Sequence, residues 1–345
     1  MFKFLIVIRP LGFLYGSAGA FLLPENLVGL SGTKFPPDAA TLSGLILGTN
    51  QEKEFTDHQQ LKANLTVAGA FWAQDPDPEN FFVAIPRSLT IGKDECAEWE
   101  IKDRKWHREV EDIKADYSWQ SINYWNEPIG EIHKHGVPDK LPWKFNPILH
   151  PTLEDDQRHV RIPKDEGDRG SLFLENAVQM REDSCLVYLS THELPDGWYR
   201  FGGENHMVEI ESLKLDSNIS DLFKQPITKS FALISPAVWG TNNLSQRYPP
   251  AFKDGDKPPK MLCDRPVPFR YRIGGKLGIG RYAVPAGTVY VLKHDLNKTW
   301  WEFPNEWFPQ SKGQVSSDKN TLLKQLGCGL CLPIKINGVD ELSEP

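Results

Sequence analysis

The chain has 345 residues, more than one small hydrophobic core usually serves, so its length favours two domains or one domain with large insertions. Hydrophobic residues make up 40% and charged residues 25%, a composition that excludes a disordered tail and a membrane-embedded bundle. The net charge of -7 argues against a protein coated with positive charge for bulk nucleic-acid binding, although a local basic groove remains compatible with it.

The N-terminus begins with an apolar run that is too short for a secretion signal or a membrane span. Only Phe4–Ile8 is uncharged and apolar before Arg9 interrupts it. Five cysteines are an odd and sparse set for this length, which favours a reducing compartment over a secreted disulfide framework. We therefore expect a strand over Phe2–Ile8, buried on both faces, in a cytoplasmic protein.

The next segments predict one helix and then a strand pair. Asp38 is a candidate N-cap for a helix that places Ala39, Leu42, Leu45 and Ile46 on one face and ends at Gly48. Residues 50–66 are polar. Residues 71–85 are typical of two strands joined by a turn at the Asp-Pro-Asp-Pro sequence of residues 75–78.

The composition then changes over a segment rich in tryptophan and charge. Between Lys93 and Trp143 there is little periodicity, and five tryptophans are spread through it: Trp99, Trp106, Trp119, Trp125 and Trp143. We interpret residues 93–145 as an insertion with its own small aromatic cluster, a lid or docking element. The alternative is an irregular excursion packed on the parent sheet.

Further short strands follow, with a boundary in the polar stretch near residues 216–225. The predicted strands are Leu172–Leu174, Cys185–Leu189, Met207–Glu211, Ser230–Ile234, Phe269–Ile273 and Thr288–Leu292. Asn320 is expected to cap a short helix over Thr321–Leu326 that Gly327 ends. We thus divide the chain into an N-terminal domain of residues 1–215, which carries the insertion, and a C-terminal domain of residues 216–345.

Motifs of common enzymes are absent from the sequence. There is no phosphate-binding Gly-x-x-x-x-Gly-Lys-Ser/Thr loop, no His-Glu-x-x-His helix, no Gly-x-Ser-x-Gly elbow and no dinucleotide-binding glycine motif after a strand. Cys328 and Cys331 have the spacing of half a zinc site, but no other cysteine or histidine lies near enough in sequence to complete four ligands, so we expect two buried thiols and no metal. No cofactor and no catalytic residue is predicted.

The strongest functional signal is a basic, glycine-rich segment near the C-terminus. Residues 247–293 hold ten basic and three acidic residues, a local charge of +7 in a chain of net charge -7. Within it, the glycines at positions 274, 275, 278 and 280 alternate with Arg272, Lys276 and Arg281, and free backbone N–H groups of this kind suit phosphates. Interleaved aromatic residues, among them Tyr248 and Tyr282, suit stacking on unpaired bases. An alternative is a plain hairpin with glycines at its turns and exposed arginines at a sheet edge.

This segment and several others resemble a known family. The passage Arg272–Leu292, with Ala-Val-Pro-Ala-Gly at residues 283–287, is similar to the C-terminal signature of RAMP proteins in type III CRISPR effector complexes. Residues 16–44, Arg161 to Phe173, the Phe-Gly-Gly-Glu turn at 201–204 and residues 230–239 resemble the family in the same order. The greatest similarity is to subunit three of the Cmr (type III-B) complex.

The resemblance implies an α+β fold of two ferredoxin-like (RRM-like) domains and no catalytic centre. It implies a subunit that recognises the 5′ handle of the CRISPR RNA and docks to the large polymerase-like subunit and the backbone RAMP subunits. The RNA-binding residues that it implies, together with basic neighbours, are Gly274, Gly275, Lys276, Gly278, Gly280, Arg281, Arg270, Arg272, Tyr248, Gly202, Gly203, His206, Gly16, Ser17 and Lys34. Two other functions stay open: a metal-independent RAMP endoribonuclease that uses a histidine, and a structural interaction protein without affinity for RNA.

Overall fold

The N-terminal strand, β1, lies in the middle of a seven-stranded sheet. The computed structural model describes residues 1–15, 35–151, 153–154, 157–160, 172–202, 205–270, 272–273, 276–311 and 321–342. Residues 5–8 are fully buried in β1, as the apolar run at the N-terminus predicts.

Short strands dominate the described residues, and helices are few. The strands are β1 (Phe4–Pro10), β2 (Leu14–Tyr15), β3 (Val67–Gln74), β4 (Asp77–Ala84), β5 (Leu89–Ile91), β6 (Cys96–Lys102), β7 (Lys105–Arg108), β8 (Trp119–Ser121), β9 (Trp143–Pro151), β10 (Leu153–Glu154), β11 (Gln157–Val160), β12 (Leu172–Met180), β13 (Ser184–Ser190), β14 (Gly197–Phe201), β15 (His206–Lys214), β16 (Ser230–Leu233), β17 (Trp239–Gly240), β18 (Ser245–Gln246), β19 (Lys260–Leu262), β20 (Val267–Phe269), β21 (Arg272–Ile273), β22 (Lys276–Leu277), β23 (Arg281–Ala283), β24 (Val289–Val291), β25 (Gln310–Ser311), β26 (Thr321–Leu322) and β27 (Cys331–Pro333). The α-helices are α1 (Ala39–Lys53), α2 (His58–Asn64), α3 (Ile129–Glu131) and α4 (Ser217–Leu222). Single turns of 3₁₀ or π-helix lie at Ile122–Tyr124, Ile132–Gly136, Pro250–Phe252, Trp300–Glu302, Asn305–Trp307, Leu323–Leu326 and Val339–Leu342.

The sheet of the first half is antiparallel and has the order β14-β15-β1-β13-β3-β4-β8. Strands β1 and β3 are joined through α1, and β13 lies between them antiparallel to both. β15 pairs antiparallel with the other side of β1. If β1, β3, β13 and β15 are numbered 1 to 4 in chain order, their order across the sheet is 4-1-3-2. This arrangement is a split β-α-β unit with one more strand.

The sheet of the second half repeats this order with shorter strands. Its spatial order is β19-β24-β16-β27, and each neighbouring pair is antiparallel. In chain order the four strands are β16, β19, β24 and β27, so their spatial order is again 4-1-3-2. The protein is therefore a mixed α and β protein with antiparallel sheets, as the sequence predicts in outline.

Helix α1 begins where the sequence predicts and ends later. It starts directly after Asp38, and Ala39, Leu42 and Ile46 lie on its buried face. The predicted end at Gly48 is wrong, because the helix continues to Lys53 and Glu54 closes it in the left-handed conformation at φ 50°. One glycine in a helix costs only about 1 kcal/mol, and the buried face continues beyond it. The polar stretch after α1 also contains α2, which the sequence analysis does not predict.

The tryptophans of residues 93–145 do not form a cluster of their own. Trp119 and Trp143 pack edge-on against Trp72 of β3, at centroid distances of 6.4 and 6.2 Å. Trp125 is buried in the core shared by both halves. Its indole N–H donates to the carbonyl of Pro333 at 2.9 Å. The expectation of a separate aromatic cluster is wrong, because these rings join cores that the flanking strands have already formed.

One cluster of buried apolar side chains contains residues from both halves of the chain. It holds Leu5 and Val7 of β1 together with Phe231 of β16 and Tyr290 of β24. A second cluster, on the other face of the seven-stranded sheet, packs β1 and β15 against α1. The boundary after residue 215 stays a prediction. At that point Asp216 caps α4 by accepting a hydrogen bond from the N–H of Asn218 at 2.7 Å.

Two details of the second half differ from prediction. The strand expected over Phe269–Ile273 is two strands, β20 and β21, separated at Arg270. The helix expected over Thr321–Leu326 is a short strand, β26, followed by a 3₁₀ turn at Leu323–Leu326 that Gly327 does end, with φ +69°. Asn320 lies outside the described residues.

Candidate nucleic-acid interface

The basic, glycine-rich segment pairs with itself as a hairpin. β20 pairs with β23, which places Phe269 opposite Arg281, and β21 pairs with β22, which places Ile273 opposite Lys276. We call residues 267–283 the glycine-rich hairpin. Gly274 and Gly275, which connect β21 to β22, lie outside the described residues. The backbone of this segment thus follows the hairpin alternative, an arrangement that is also compatible with phosphate binding.

Arg281 is a buried cation in this hairpin, with only 8% of its surface exposed. Its guanidinium donates to the carbonyl of Thr241 at 3.0 Å and also to the carbonyl of Asn242. The side-chain oxygen of Asn242 in turn accepts from the N–H of Gln310 at 2.8 Å. Because a buried charge needs close polar partners, these carbonyls account for the burial of Arg281. The guanidinium joins the glycine-rich hairpin to the hairpin formed by β17 and β18.

Arg270 makes a bond within the hairpin itself. It is half-buried, and its Nε donates to the carbonyl of Gly278 at 2.8 Å. Gly278 is half-buried and Gly280 is exposed. Arg272 and Lys276 are described by their backbone, in β21 and β22. Among the interleaved aromatic residues, Tyr282 is 52% exposed, whereas Phe269 is buried. Tyr282 is therefore the aromatic side chain of β23 that an incoming base could reach.

The acidic residues of the segment are largely neutralised by nearby cations. Asp254 accepts from Lys293 at 3.0 Å and lies 3.4 Å from the imidazole of His294. The hydrogen bond from Lys293 is the main cause that lowers the pKa of Asp254. Asp264 pairs with Arg87 at 2.7 Å. Among the described side chains of residues 247–293, the exposed cations are Arg247, Lys253, Lys257 and Arg265. Two of the three acidic residues of the segment are thus paired with cations, and these four exposed cations add to its positive charge.

Arg87 is a residue that the sequence analysis does not single out. It belongs to the first half, and its backbone N–H donates to the carbonyl of Gly287 at 2.7 Å. Gly287 has φ +81°, and a Cβ there would lie 2.7 Å from the carbonyl oxygen of Ile85. This close approach brings the Arg87 side chain to Asp264. No local pattern could have indicated Arg87, because only the packing of the two halves places it beside the basic segment.

The remaining predicted residues are spread over other elements. Tyr248 is half-buried and packs against the shared core. Gly202, at φ +79°, and half-buried His206 belong to the turn and strand that follow β14, in the seven-stranded sheet. Among the described strands, that hairpin shares no pairing with the glycine-rich hairpin. Gly203, Gly16, Ser17 and Lys34 lie outside the described residues.

The cysteine pair occupies the interior. Cys328 and Cys331 are 2% and 3% exposed, and burial raises the pKa of the Cys331 thiol well above its usual value. Among the residues that the structure describes, no three histidine, cysteine or acidic side chains come together as a possible metal site. Nor is any helix in the described ranges long and apolar enough to cross a membrane.

The chain is similar to chains in solved structures of type III CRISPR complexes. One is in a cryo-EM structure of the type III-B Cmr-beta bound to cognate target RNA, with 12% identity, a TM-score of 0.46 and coverage of 83% of this chain and 86% of that chain. Another is in the Csm3-Csm4 subcomplex of the type III-A CRISPR-Cas interference complex, with 11% identity, a TM-score of 0.42 and coverage of 92% and 98%. A third is in a Csm1-Csm4 cassette in complex with pppApA, with 11% identity, a TM-score of 0.41 and coverage of 97% and 99%. No protein-family model and no curated protein matches the chain.

Proposed function

We propose that this protein is a non-catalytic RNA-binding subunit of a type III CRISPR effector complex. In this role it contacts the 5′ handle of the CRISPR RNA and docks to the large polymerase-like subunit, as its resemblance to subunit three of the Cmr complex implies. The observation that carries the proposal is the local charge of +7 over residues 247–293, the segment that contains the glycine-rich hairpin, on a chain whose net charge is -7. A confined site of this kind attracts a polyanion to one place on an acidic protein.

The strand orders support two ferredoxin-like units. Four neighbouring strands of the seven-stranded sheet, and the four strands of the second sheet, are antiparallel and have the order 4-1-3-2, which is the order of the β-α-β-β-α-β fold. The first unit keeps the helix α1 after its first strand. In the second unit the described connections are strands and 3₁₀ turns. Sheets of this topology, with aromatic residues and cations at hand, bind single-stranded RNA in many proteins.

In this proposal, different side chains contact the phosphates, contact a base and hold the hairpin in place. Arg247, Lys253, Lys257 and Arg265 are exposed and would follow the phosphates. Tyr282 would stack on an unpaired base, since its neighbours Arg281 and Ala283 are buried and it is not. Arg281 would act from inside the protein by holding the hairpin in place. The backbone of residues 278–280, between β22 and β23, would be open to close approach by the RNA, since Gly280 is exposed.

The salt dependence of RNA binding tests this proposal. We would measure the dissociation constant for a labelled single-stranded CRISPR RNA with its 5′ handle, and for the same RNA without the handle, over a series of salt concentrations. The double variant Arg247→Ala with Arg265→Ala should reduce the slope of log K against log salt by up to about 1.4, since each phosphate contact on single strands contributes about 0.7. The matched control is Lys102→Ala with Lys105→Ala, which removes two exposed cations from β6 and β7.

Two results would refute the proposal. An equal loss of slope in the Lys102 and Lys105 control would mean that the RNA is attracted by overall charge and not by this surface. Equal affinity for the two RNAs would show that the protein does not recognise the 5′ handle. The non-catalytic role is tested in the same samples by following the length of the RNA in EDTA, and cleavage that one histidine substitution abolishes would favour the endoribonuclease instead.

A further inference from the structure

Strand β14 forms one edge of the seven-stranded sheet and pairs only with β15 among the described residues. In the register of the pair, Tyr199 lies opposite Val208, and Phe201 lies opposite His206. Tyr199, Phe201 and Val208 are buried against α1 in the second core cluster. The alternate residues of β14, Trp198 and Arg200, therefore have their side chains on the opposite face of the sheet.

The hydrogen bonds around β15 show which backbone groups of β14 point outward. The N–H of Leu11 donates to the carbonyl of Met207, and the N–H of Leu215 donates to the carbonyl of Lys3. These bonds show that the backbone N–H and C=O groups of the odd-numbered residues of β15 point toward β1. The even-numbered residues, from 206 to 210, therefore bond to β14 through its residues 201, 199 and 197. The N–H and C=O groups of Trp198 and Arg200 point away from the sheet, where no described strand meets them.

The side chains on this edge are unusually exposed. Trp198 is 69% exposed, more than any other large apolar side chain in the described part of the chain. Met207, which lies opposite Arg200, is 43% exposed. Arg200 is exposed, and no ion pair or hydrogen bond of its side chain is found among the described residues. No described strand covers this edge, and a large exposed apolar side chain beside outward backbone N–H and C=O groups is typical of a surface that pairs with another chain.

We propose that the edge of β14 takes an extended segment of a partner protein as an added antiparallel strand. The outward N–H and C=O groups of Trp198 and Arg200 would form the ladder. Residues opposite each other in such a ladder lie on the same face, so the partner segment places an apolar side chain against Trp198 and a carboxylate against Arg200, two positions apart. The partner is thus a strand with an apolar and an acidic residue at alternate positions. This proposal does not depend on RNA binding, because β14 shares no pairing with the glycine-rich hairpin.

The experiment uses two synthetic nine-residue peptides and the full-length protein. Both alternate threonine and valine and carry a central leucine; two positions away, one has glutamate and the other lysine. Binding is measured by calorimetry, and hydrogen exchange of residues 197–201 is followed by mass spectrometry. The glutamate peptide should slow exchange of two amides, those of Trp198 and Arg200. It should also bind about fivefold more tightly than the lysine peptide, and Arg200→Glu should reverse this preference.

The control variant is Lys214→Glu, which reverses an exposed charge at the other end of β15 and should leave the preference unchanged. Equal affinity for the two peptides, absence of binding by both, or binding without protection of residues 197–201 would each overturn the proposal. Protection that increases with protein concentration alone would also overturn it, because the edge would then pair with a second copy of this chain.

Discussion

Gly327 lies where the backbones of the two halves come close together, and replacing it by alanine tests whether the halves are rigidly joined. It ends the 3₁₀ turn at Leu323–Leu326 with φ +69°. A Cβ at this position would lie 2.5 Å from both the Cα and the Cβ of Ala68 and 2.8 Å from the carbonyl oxygen of Val67, all in β3. These atoms belong to a central strand of the first half and cannot move aside as a flexible side chain would.

Two costs add up in Gly327→Ala. The left-handed conformation costs a residue with a Cβ about 1–2 kcal/mol, and overpacking against a fixed neighbour costs about 1–3 kcal/mol. The free energy of unfolding, measured by urea denaturation, should therefore fall by about 2–5 kcal/mol. Gly255→Ala is the matched control, because Gly255 has φ +58° and no atom lies within 4 Å of its Cβ position, so it carries the first cost alone.

Gly44→Ala is a second control, at a glycine that has neither a left-handed backbone nor a neighbour close to its Cβ position. Gly44 lies on the exposed side of α1 with nothing within 4 Å, so Gly44→Ala should raise the free energy of unfolding by about 0.5–1 kcal/mol. If Gly327→Ala costs no more than Gly255→Ala, the collision with β3 is relieved by a shift between the halves. The inference of a rigid junction would then be wrong.

Other predictions concern single side chains. Trp125→Phe removes the partly buried hydrogen bond to Pro333 that joins the halves, and should lower the free energy of unfolding by about 0.5–1.5 kcal/mol in urea denaturation, the net contribution of a typical hydrogen bond. Burial keeps the Cys331 thiol protonated in the folded protein, so the unfolded state alone releases this proton above its usual pKa of 9.0. Stability must then fall with rising pH, and wild type should lose up to about 1.4 kcal/mol per pH unit above pH 9 relative to Cys331→Ala, as urea denaturation at several pH values would show. Exposed Cys263, and more slowly half-buried Cys96, should react with a thiol reagent in the native protein, whereas Cys185, Cys328 and Cys331 should react only on unfolding; rapid reaction of more than two thiols would contradict the buried positions. Arg281→Lys keeps the charge but loses the planar fork that bonds two carbonyls, so RNA affinity should fall while the salt slope stays unchanged.

The parts of the fold that could be predicted are those in which the local pattern and the burial agree. β1 is an apolar run that is central in its sheet, and α1 begins after an N-cap residue with an apolar face toward the core. The end of α1 could not be predicted from Gly48, because one glycine within a helix costs only about 1 kcal/mol and the buried face of the helix continues through Thr49 and Asn50. The positions of Trp119 and Trp125 depend on packing partners far away in sequence, and no periodicity within residues 93–145 indicates them.

The candidate site could be predicted by region but not by the role of each residue. The count of basic residues over 247–293 locates the positive surface, and the glycines locate the hairpin. A count cannot distinguish an exposed cation from a buried one, and Arg281 is buried because the backbone carbonyls of Thr241 and Asn242 come close to it. Those residues are forty positions away, and only the fold brings them there.

The burial of Arg281 changes how the charge of the segment acts. A guanidinium held by two carbonyls still contributes its field, but it cannot approach a phosphate without giving up those bonds. The exposed cations, such as Arg247 and Lys257, can approach one, and they precede the glycine-rich hairpin in the sequence. Substitutions of the exposed cations and of the buried Arg281 should therefore change different rate constants of RNA binding. Loss of a surface cation should lower mainly the association rate and the salt dependence, because it weakens long-range attraction. Loss of the buried fork of Arg281 should raise mainly the dissociation rate, because the glycine-rich hairpin loses its bonds to Thr241 and Asn242 while the exposed cations remain.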